Sequence, residues 1–377
     1  MPLYKTIVKK VSIPQDKKVK QKNYEEVGQL AVVDQGKDII GGYSNDFDKR
    51  IECDLPVVIF GDHTCTVKYI NFPFAAGADG IKILESKDNV VPKYLYYGTK
   101  YLTLRFPEKG YARHYQHIEK MDLFLPTVSE QRRIVFRIEE LFSKLDKGVE
   151  TLQTTKQQLA VYRQTVLTAA FPSITSCNRR KLSDIAIISS GITKGRKLHP
   201  DETIKLPYLR VANVQNGFLD LTEVKEIDLK ESEKEKFLLK YGDVLYTEGG
   251  DRDKLGRGTI WRDEIPNCVH QNHIFKARVD KSQAIPQYVA WWSMSSHARD
   301  YFFEKGKQTV NLASINKTVL ANLELPLPSL QEQEKITEII SSRFSSCDSI
   351  ERTVDRALAQ TDAMRQSILK RAFEGTL

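Results

Sequence analysis

One phrase occurs twice in this chain, and that duplication constrains the fold more than any other feature. Leu125-Pro126-(x)3-Glu130-Gln131-x-Arg133-Ile134 returns as Leu327-Pro328-(x)3-Glu332-Gln333-x-Lys335-Ile336, displaced by 202 residues. The register then holds without a gap. Ile138 falls on Ile340, Phe142-Ser143 on Phe344-Ser345, Asp146 on Asp348, Arg163-Gln164 on Arg365-Gln366, Leu167 on Leu369 and Ala170-Phe171 on Ala372-Phe373. Self-similarity of this length marks a duplicated structural unit. The longer segments before each copy match more loosely. Val91-Pro92-x-Tyr94-Leu95 answers Ile285-Pro286-x-Tyr288-Val289, and Glu108-Lys109-Gly110 answers Glu304-Lys305-Gly306. The chain therefore reads A–h–A′–h′, with A at 1–124, h at 125–172, A′ at 178–326 and h′ at 327–377. Insertions and deletions lie inside the A units, which suggests one variable task and one fixed task.

At 377 residues and 41% apolar content, the chain can build two domains of ordinary size. No apolar run approaches the roughly eighteen residues of a membrane span, and the N-terminal residues lack a signal-peptide core. A soluble protein of the cytoplasm is expected. Cys53, Cys65, Cys177, Cys268 and Cys347 are scattered and form no C-x-x-C pair, which argues for reduced, structural thiols over a disulfide framework or zinc site. The net charge of +8 points weakly to polyanions. Lys9, Lys10, Lys17, Lys18, Lys20 and Lys22 crowd the start of A, and glycine-flanked basic clusters sit inside A′. Any one such cluster also fits plain solvated surface.

Segment h carries Ile134, Ile138, Leu141, Leu145, Leu152, Leu159, Tyr162 and Val166 at near-heptad steps, and h′ carries Ile336, Ile340, Cys347, Ile350, Val354, Met364 and Ile368. Steps of three and four describe one helical stripe. Thr361 interrupts it in h′. Ser129 before Glu130, and Ser329 three residues before Glu332, supply helix-start chemistry, the second with capping-box spacing. Helices of this length run roughly 60 Å at 1.5 Å per residue. A single stripe that long needs a partner, so h is expected to pair with h′, in either direction.

The A units read as short β-branched runs broken by Gly, Asn and Asp, such as Leu55–Phe60, Gly80–Leu84, Asp243–Tyr246 and Ile274–Ala277. Each is followed by an amphipathic aromatic stretch, at 92–105 and 286–303. A mixed α/β domain with a curved, mostly antiparallel sheet is expected in each. Loops rich in Lys, Arg, Asn, Gln and His separate the strands, and these residue types read base edges and phosphates. The candidate DNA contacts are Lys37, Tyr43, Asn45, Lys49, Arg50, Asp62, His63, Thr64 and Lys68 in A. In A′ they are Lys194, Arg196, Lys197, Arg210, Asn213, Glu248, Asp251, Arg252, Lys254, Arg257, Gln271, Asn272 and His273. The same composition also describes a sugar-binding loop.

Catalytic signatures are missing from the sequence. Asn71-Phe72-Pro73-Phe74 lacks the first proline of an adenine-methyltransferase tetrapeptide, and no P-loop occurs. Pro200-Asp201-Glu202-Thr203-Ile204-Lys205 has nuclease-like letters without the spacing. His114 and His117 have no third ligand nearby, and no nucleophile is arranged with a base.

The doubled Leu-Pro-x-x-x-Glu-Gln helix start resembles the specificity subunits of Type I restriction-modification systems, and the resemblance covers essentially the whole chain. Ile368-Leu369-(x)2-Ala372-Phe373-x-Gly375-x-Leu377 is similar to that family's carboxyl end, while the first copy departs at Pro172. Phe60-Gly61-Asp62-His63 and Gly77-Ala78-Asp79-Gly80 also resemble its target-recognition domains. The resemblance implies two target-recognition domains separated by long helices in an antiparallel coiled coil, a pseudo-twofold repeat. It implies a non-catalytic subunit that reads a bipartite, asymmetric site in double-stranded DNA. It also implies docking of a pair of methyltransferase subunits and of restriction subunits, with S-adenosylmethionine, ATP and magnesium confined to those partners. The competing reading is a coiled-coil adaptor whose globular domains bind protein or glycan.

Overall fold

The computed structural model describes residues 1–77, 80–105, 113–171, 178–196, 203–250, 255–308 and 313–377. The chain divides into two compact units, one of Met1–Thr154 with Val354–Leu377, the other of Thr155–Thr353. Each unit thus combines one A segment with part of each long helix.

In the first unit a four-stranded antiparallel sheet has the order Val8–Val11, Ile81–Ser86, Val57–Gly61, Val67–Ile70. The run Val57–Gly61 is buried along its whole length, which is why the sequence there shows no polar alternation. Val58 and Phe60 face a core shared with the helix Pro92–Thr103. Val57 and Ile59 face a core shared with a second sheet, ordered Lys18–Val19, Phe74–Gly77, Leu30–Val33, Gly42–Ser44. In that sheet only the last pairing is antiparallel.

The second unit repeats the first sheet with Ala186–Ser190, Ile274–Val279, Val244–Thr247 and Gly258–Ile260 in the same order. Val244 and Tyr246 face the helices, and Leu245 faces Trp261 and Leu209 on the other side. The second sheet differs, with the order Lys225–Lys230, Thr203–Leu209, Val269–His270. The stretch expected as one amphipathic segment at 286–303 is two helices, Pro286–Ser293 and Ser296–Lys305. Ser295 breaks it by capping the second helix, its hydroxyl accepting from the Ala298 N–H at 3.4 Å, as an N-cap serine does.

The two long helices run from Val128 to Ala170 and from Leu330 to Phe373. Ser329 and Glu332 form the reciprocal capping box: the Ser329 N–H donates to Glu332 Oε2 at 3.1 Å, and the Glu332 N–H donates to Ser329 Oγ at 3.3 Å. At the first helix the capping hydroxyl is that of Thr127, not Ser129, and it accepts from the Glu130 N–H at 3.4 Å. Thr127 is the position that matches Ser329 once the 202-residue displacement is applied.

Within each unit the helices run antiparallel. In the first unit Arg365 pairs with Asp146 and lies over the Phe142 ring, and Ile134, Val135 and Ile138 share a core with Leu369, Ala372 and Phe373. In the second unit Arg163 pairs with Asp348 at 2.7 Å and Glu351 at 2.8 Å and lies over Phe344. There Leu167 and Phe171 share a core with Ile340 and Phe344. Apart from Glu351, whose matching position is Val149, each contact set is the other with the helices exchanged, which is the pseudo-twofold repeat seen in detail.

The seam differs from the expected stripe. One register of buried or half-buried positions is Ile138, Leu145, Leu152, Leu159 and Val166, matched by Ile340, Cys347, Val354, Thr361 and Ile368. A second includes Phe142, Arg163, Phe344, Glu351 and Arg365. Tyr162, Ile350 and Met364 are exposed, at 41%, 46% and 55%. Each precedes a polar seam residue by one position: Arg163, Glu351 and Arg365. Those charges satisfy one another or stack on phenylalanine, so the apolar neighbours turn outward. Thr361 continues the seam because its hydroxyl donates to the Ala357 carbonyl at 2.9 Å within its own helix, leaving its methyl group for packing.

Candidate nucleic-acid interface

In each unit part of the candidate set lies at one end of the repeated sheet, where two neighbouring strands meet. In the first unit the Asp62 N–H donates to the Gly80 carbonyl at 2.6 Å, and the Asp62 carbonyl accepts from the His114 N–H at 2.8 Å. In the second unit Glu248 takes the same place. Its N–H donates to the His273 carbonyl at 2.9 Å, and its carbonyl accepts from the Ile315 N–H at 2.8 Å. The backbone frame is shared, and the side chains are not.

In the first unit the acid is internal. Asp62 is 3% exposed, accepts from the Tyr115 N–H at 2.9 Å and pairs with Lys82 at 3.1 Å. Opposite it stands Gly80 at φ +98°, where a side chain would collide with Gln35 and His63. Thr64 donates its hydroxyl to the Gln35 carbonyl at 2.8 Å, so the turn at 34–37 is tied to the loop of His63 and Thr64, and Lys37 on that turn is exposed. Lys68 is also internal, 4% exposed and 3.6 Å from Asp34; burial pulls its ammonium below the usual lysine range, with Asp34 opposing. Asp62 and Lys68 therefore hold the loops and do not face solvent. Tyr43, Asn45, Lys49 and Arg50 lie along the second sheet, apart from this cluster. There Asn45 donates to Glu25 at 2.7 Å, and Lys49 donates to the Asp16 carbonyl at 2.5 Å.

In the second unit the acid is accessible. Glu248 Oε2 lies 2.6 Å from His273 Nδ1, and Asn272 Nδ2 lies 3.3 Å from His273 Nε2. A neutral His273 that donates from Nδ1 accepts from the amide at Nε2, giving an oriented relay Asn272–His273–Glu248. Gln271 adjoins it on the same turn. Arg257 donates to Gln215 at 3.0 Å. Asn213 is 3% exposed, and its amide donates to the Asp220 and Glu223 carbonyls at 2.8 and 3.0 Å, so it organises a turn. Arg210 pairs with Glu223 at 3.2 Å and Arg196 with Glu233, while Lys194 is exposed. Lys197, Asp251, Arg252 and Lys254 lie outside the described residues, as do Ala78-Asp79, Glu108–Gly110, Pro172, Cys177 and Pro200–Glu202.

Sequence reasoning missed three further groups. Gln35 was visible only as part of an Asp-Gln-Gly-Lys turn. His270, adjacent to the chosen Gln271, is fully buried. Its Nδ1 lies 3.0 Å from the Ile274 carbonyl, while Nε2 has no hydrogen-bond partner among the described residues. Burial pushes its pKa down to about 4, and nearby Lys276 adds to the shift. Gln131 and Gln333, read as motif letters, are completely buried.

No helix among the described residues is long and apolar enough to cross a membrane. Comparison with known proteins agrees with the geometry. Residues 177–360 match the family model described as type I restriction modification DNA specificity domain. The specificity subunit of the EcoKI type I restriction enzyme from Escherichia coli K12 is 27% identical over 266 residues, covering 67% of this chain and 57% of that protein. The EcoBI specificity subunit from Escherichia coli is 26% identical, covering 90% of this chain and 74% of that one. The matched part thus spans little more than half the length of the EcoKI subunit. A solved chain from a type I R-M system assembly superposes at a TM-score of 0.68 with 15% identity, covering 100% of this chain and 97% of that one, and so shares the fold. With its doubled helix start and repeated sheet, the chain is similar to the specificity subunits of type I restriction enzymes, and residues 177–360 carry the match to the DNA specificity domain.

Proposed function

We propose that this chain is a sequence-specific DNA-binding subunit that reads a bipartite, asymmetric site through the loop ends of its two repeated sheets. The observation that carries this reading is the shared backbone frame with unlike side chains. An internal acid faces a glycine in one unit, and a Glu–His–Asn relay stands in the other. Two readers of common ancestry and different chemistry fit an asymmetric target. A helix of 43 residues is about 65 Å long at 1.5 Å per residue, of the order of two turns of duplex at about 34 Å each. The helices would then set the gap, since binding one half-site raises the effective concentration at the other.

The chain supplies recognition in this scheme. A pair of methyltransferase subunits and the restriction subunits would bring S-adenosylmethionine, ATP and magnesium chemistry. Binding of labelled duplexes by the complex with its methyltransferase partner tests the reading. Specific binding that weakens steeply with salt, at a log–log slope of about −0.9 per phosphate contacted, supports it. A complex with no DNA affinity favours the adaptor reading, in which the same domains bind protein or glycan.

A further inference from the structure

The glutamine of the repeated Leu-Pro-x-x-x-Glu-Gln phrase forms the same three hydrogen bonds in both units. Gln131 Oε1 accepts from the Val91 N–H at 2.8 Å, and its Nε2 donates to the Asn89 and Pro126 carbonyls, each at 2.9 Å. Gln333 Oε1 accepts from the Ile285 N–H at 2.9 Å. Its Nε2 donates to the Gln283 carbonyl at 3.3 Å and the Pro328 carbonyl at 2.9 Å. Both side chains are 0% exposed. The partners come from two separate places: the turn that starts the domain helix at Pro92 or Pro286, and the connector that enters the long helix. A tyrosine from each domain helix reinforces the link. Tyr94 donates to the Phe124 carbonyl at 2.6 Å and Tyr288 to the Pro326 carbonyl at 3.0 Å.

The loosely aligned landmark Val91-Pro92 with Ile285-Pro286 and the gapless repeated phrase are thus the two sides of one joint. A planar amide bonded at both ends fixes direction as well as distance. A group without solvent exposure touches neither DNA nor a partner subunit, so it acts through what it holds. We infer that Gln131 and Gln333 are positioning residues that set the angle of each recognition domain on its helix, and thereby restrict the gap length the protein accepts. The inference rests on the bipartite reading above. One base pair advances the duplex by about 3.4 Å, so a small freedom at the joint is enough to admit a neighbouring gap.

The test uses the full chain in complex with its methyltransferase partner, assayed for methylation on duplexes carrying the native gap or one base pair more or less. For the unaltered protein the native gap dominates. Gln131→Leu strands one N–H and two carbonyls. It is expected to raise methylation at the altered gaps relative to the native gap by on the order of tenfold, the ratio that loss of a buried hydrogen bond carries, with both half-sites unchanged. Gln333→Leu does the same from the other unit. Tyr94→Phe keeps the glutamine and removes only the hydroxyl bond to the Phe124 carbonyl, so it gives a smaller effect. It also carries the ratio test if the leucine variant yields no folded complex. A lowered melting temperature with an unchanged gap ratio overturns the inference and leaves a purely structural role. An unaltered complex that methylates no two-part site overturns the reading beneath it.

Discussion

Phe373→Ala tests the direction in which the helices pair. Phe373 is 2% exposed, lies 4.9 Å from the Tyr94 ring and stacks at 5.3 Å and 13° on Tyr101. It therefore closes the helical side of the first unit from the end of the second long helix. Removing a buried phenylalanine costs about 3–5 kcal/mol through lost transfer energy and the cavity left behind. That is a large share of the roughly 5–15 kcal/mol that keeps a domain folded. Hydrogen exchange followed by mass spectrometry reads the loss locally. At 1.4 kcal/mol per tenfold, protection of Pro92–Thr103 should fall by roughly two to three and a half orders of magnitude. The matching substitution Phe171→Ala removes edge contacts with Tyr288 at 5.5 Å and Trp292 at 5.2 Å, and should loosen Pro286–Ser293. Parallel pairing would exchange these outcomes. Faster exchange at Pro286–Ser293 in Phe373→Ala, with Pro92–Thr103 unchanged, would refute the antiparallel arrangement.

Three further outcomes are expected. A double-mutant cycle on Arg163 and Asp348, whose side chains are 25% and 56% exposed, should return a coupling of about 0.5 kcal/mol in urea unfolding; a coupling of several kcal/mol would mean the pair is far better shielded than its exposure indicates. His270 should titrate near 4 by nuclear magnetic resonance, below the 6.5 of an unburied imidazole. Its folded pKa is depressed, so its contribution to stability is complete above 6.5 and is lost as pH falls toward 4, by roughly 3 kcal/mol in total. A titration near 6.5 contradicts its burial. Replacing Asn272 and His273 by alanine should relax one half-site by about 1–3 kcal/mol of base discrimination and leave the other intact, as read by methylation of randomised duplexes; equal change in both half-sites would discount separate readers.

The architecture was legible where the sequence repeats itself, because a gapless displacement of 202 residues carries the Arg163–Asp348 pair onto Arg365–Asp146 and Phe344 onto Phe142. The seam was legible only in part. Hydrophobic periodicity selects Tyr162 and Met364, whereas the packed neighbours are Arg163 and Arg365, whose charges are met by acids on the facing helix. A polar seam residue shows its role only once its partner's position is known. The sequence offers Ser129 at the first helix start, whereas Thr127 caps it, since capping depends on where the chain enters the helix. Among the candidate contacts, residue type did not separate buried organisers from exposed groups. Asp62, Lys68 and Asn213 bond inward, while Glu248, Asn272 and His273 form an accessible cluster. That distinction depends on the tertiary partners, Lys82, Asp34 and the Asp220–Glu223 turn, which lie from seven to over thirty positions away along the chain.

Mapping of methylated bases in DNA treated with the complex of this chain and its methyltransferase partner tests the central claim most directly. Two different half-sites separated by a fixed, unread gap is the predicted result, with each half-site altered only by changes in its own unit. A single continuous motif, or methylation indifferent to substitutions at Asn272 and His273 and at His63 and Thr64, would contradict it.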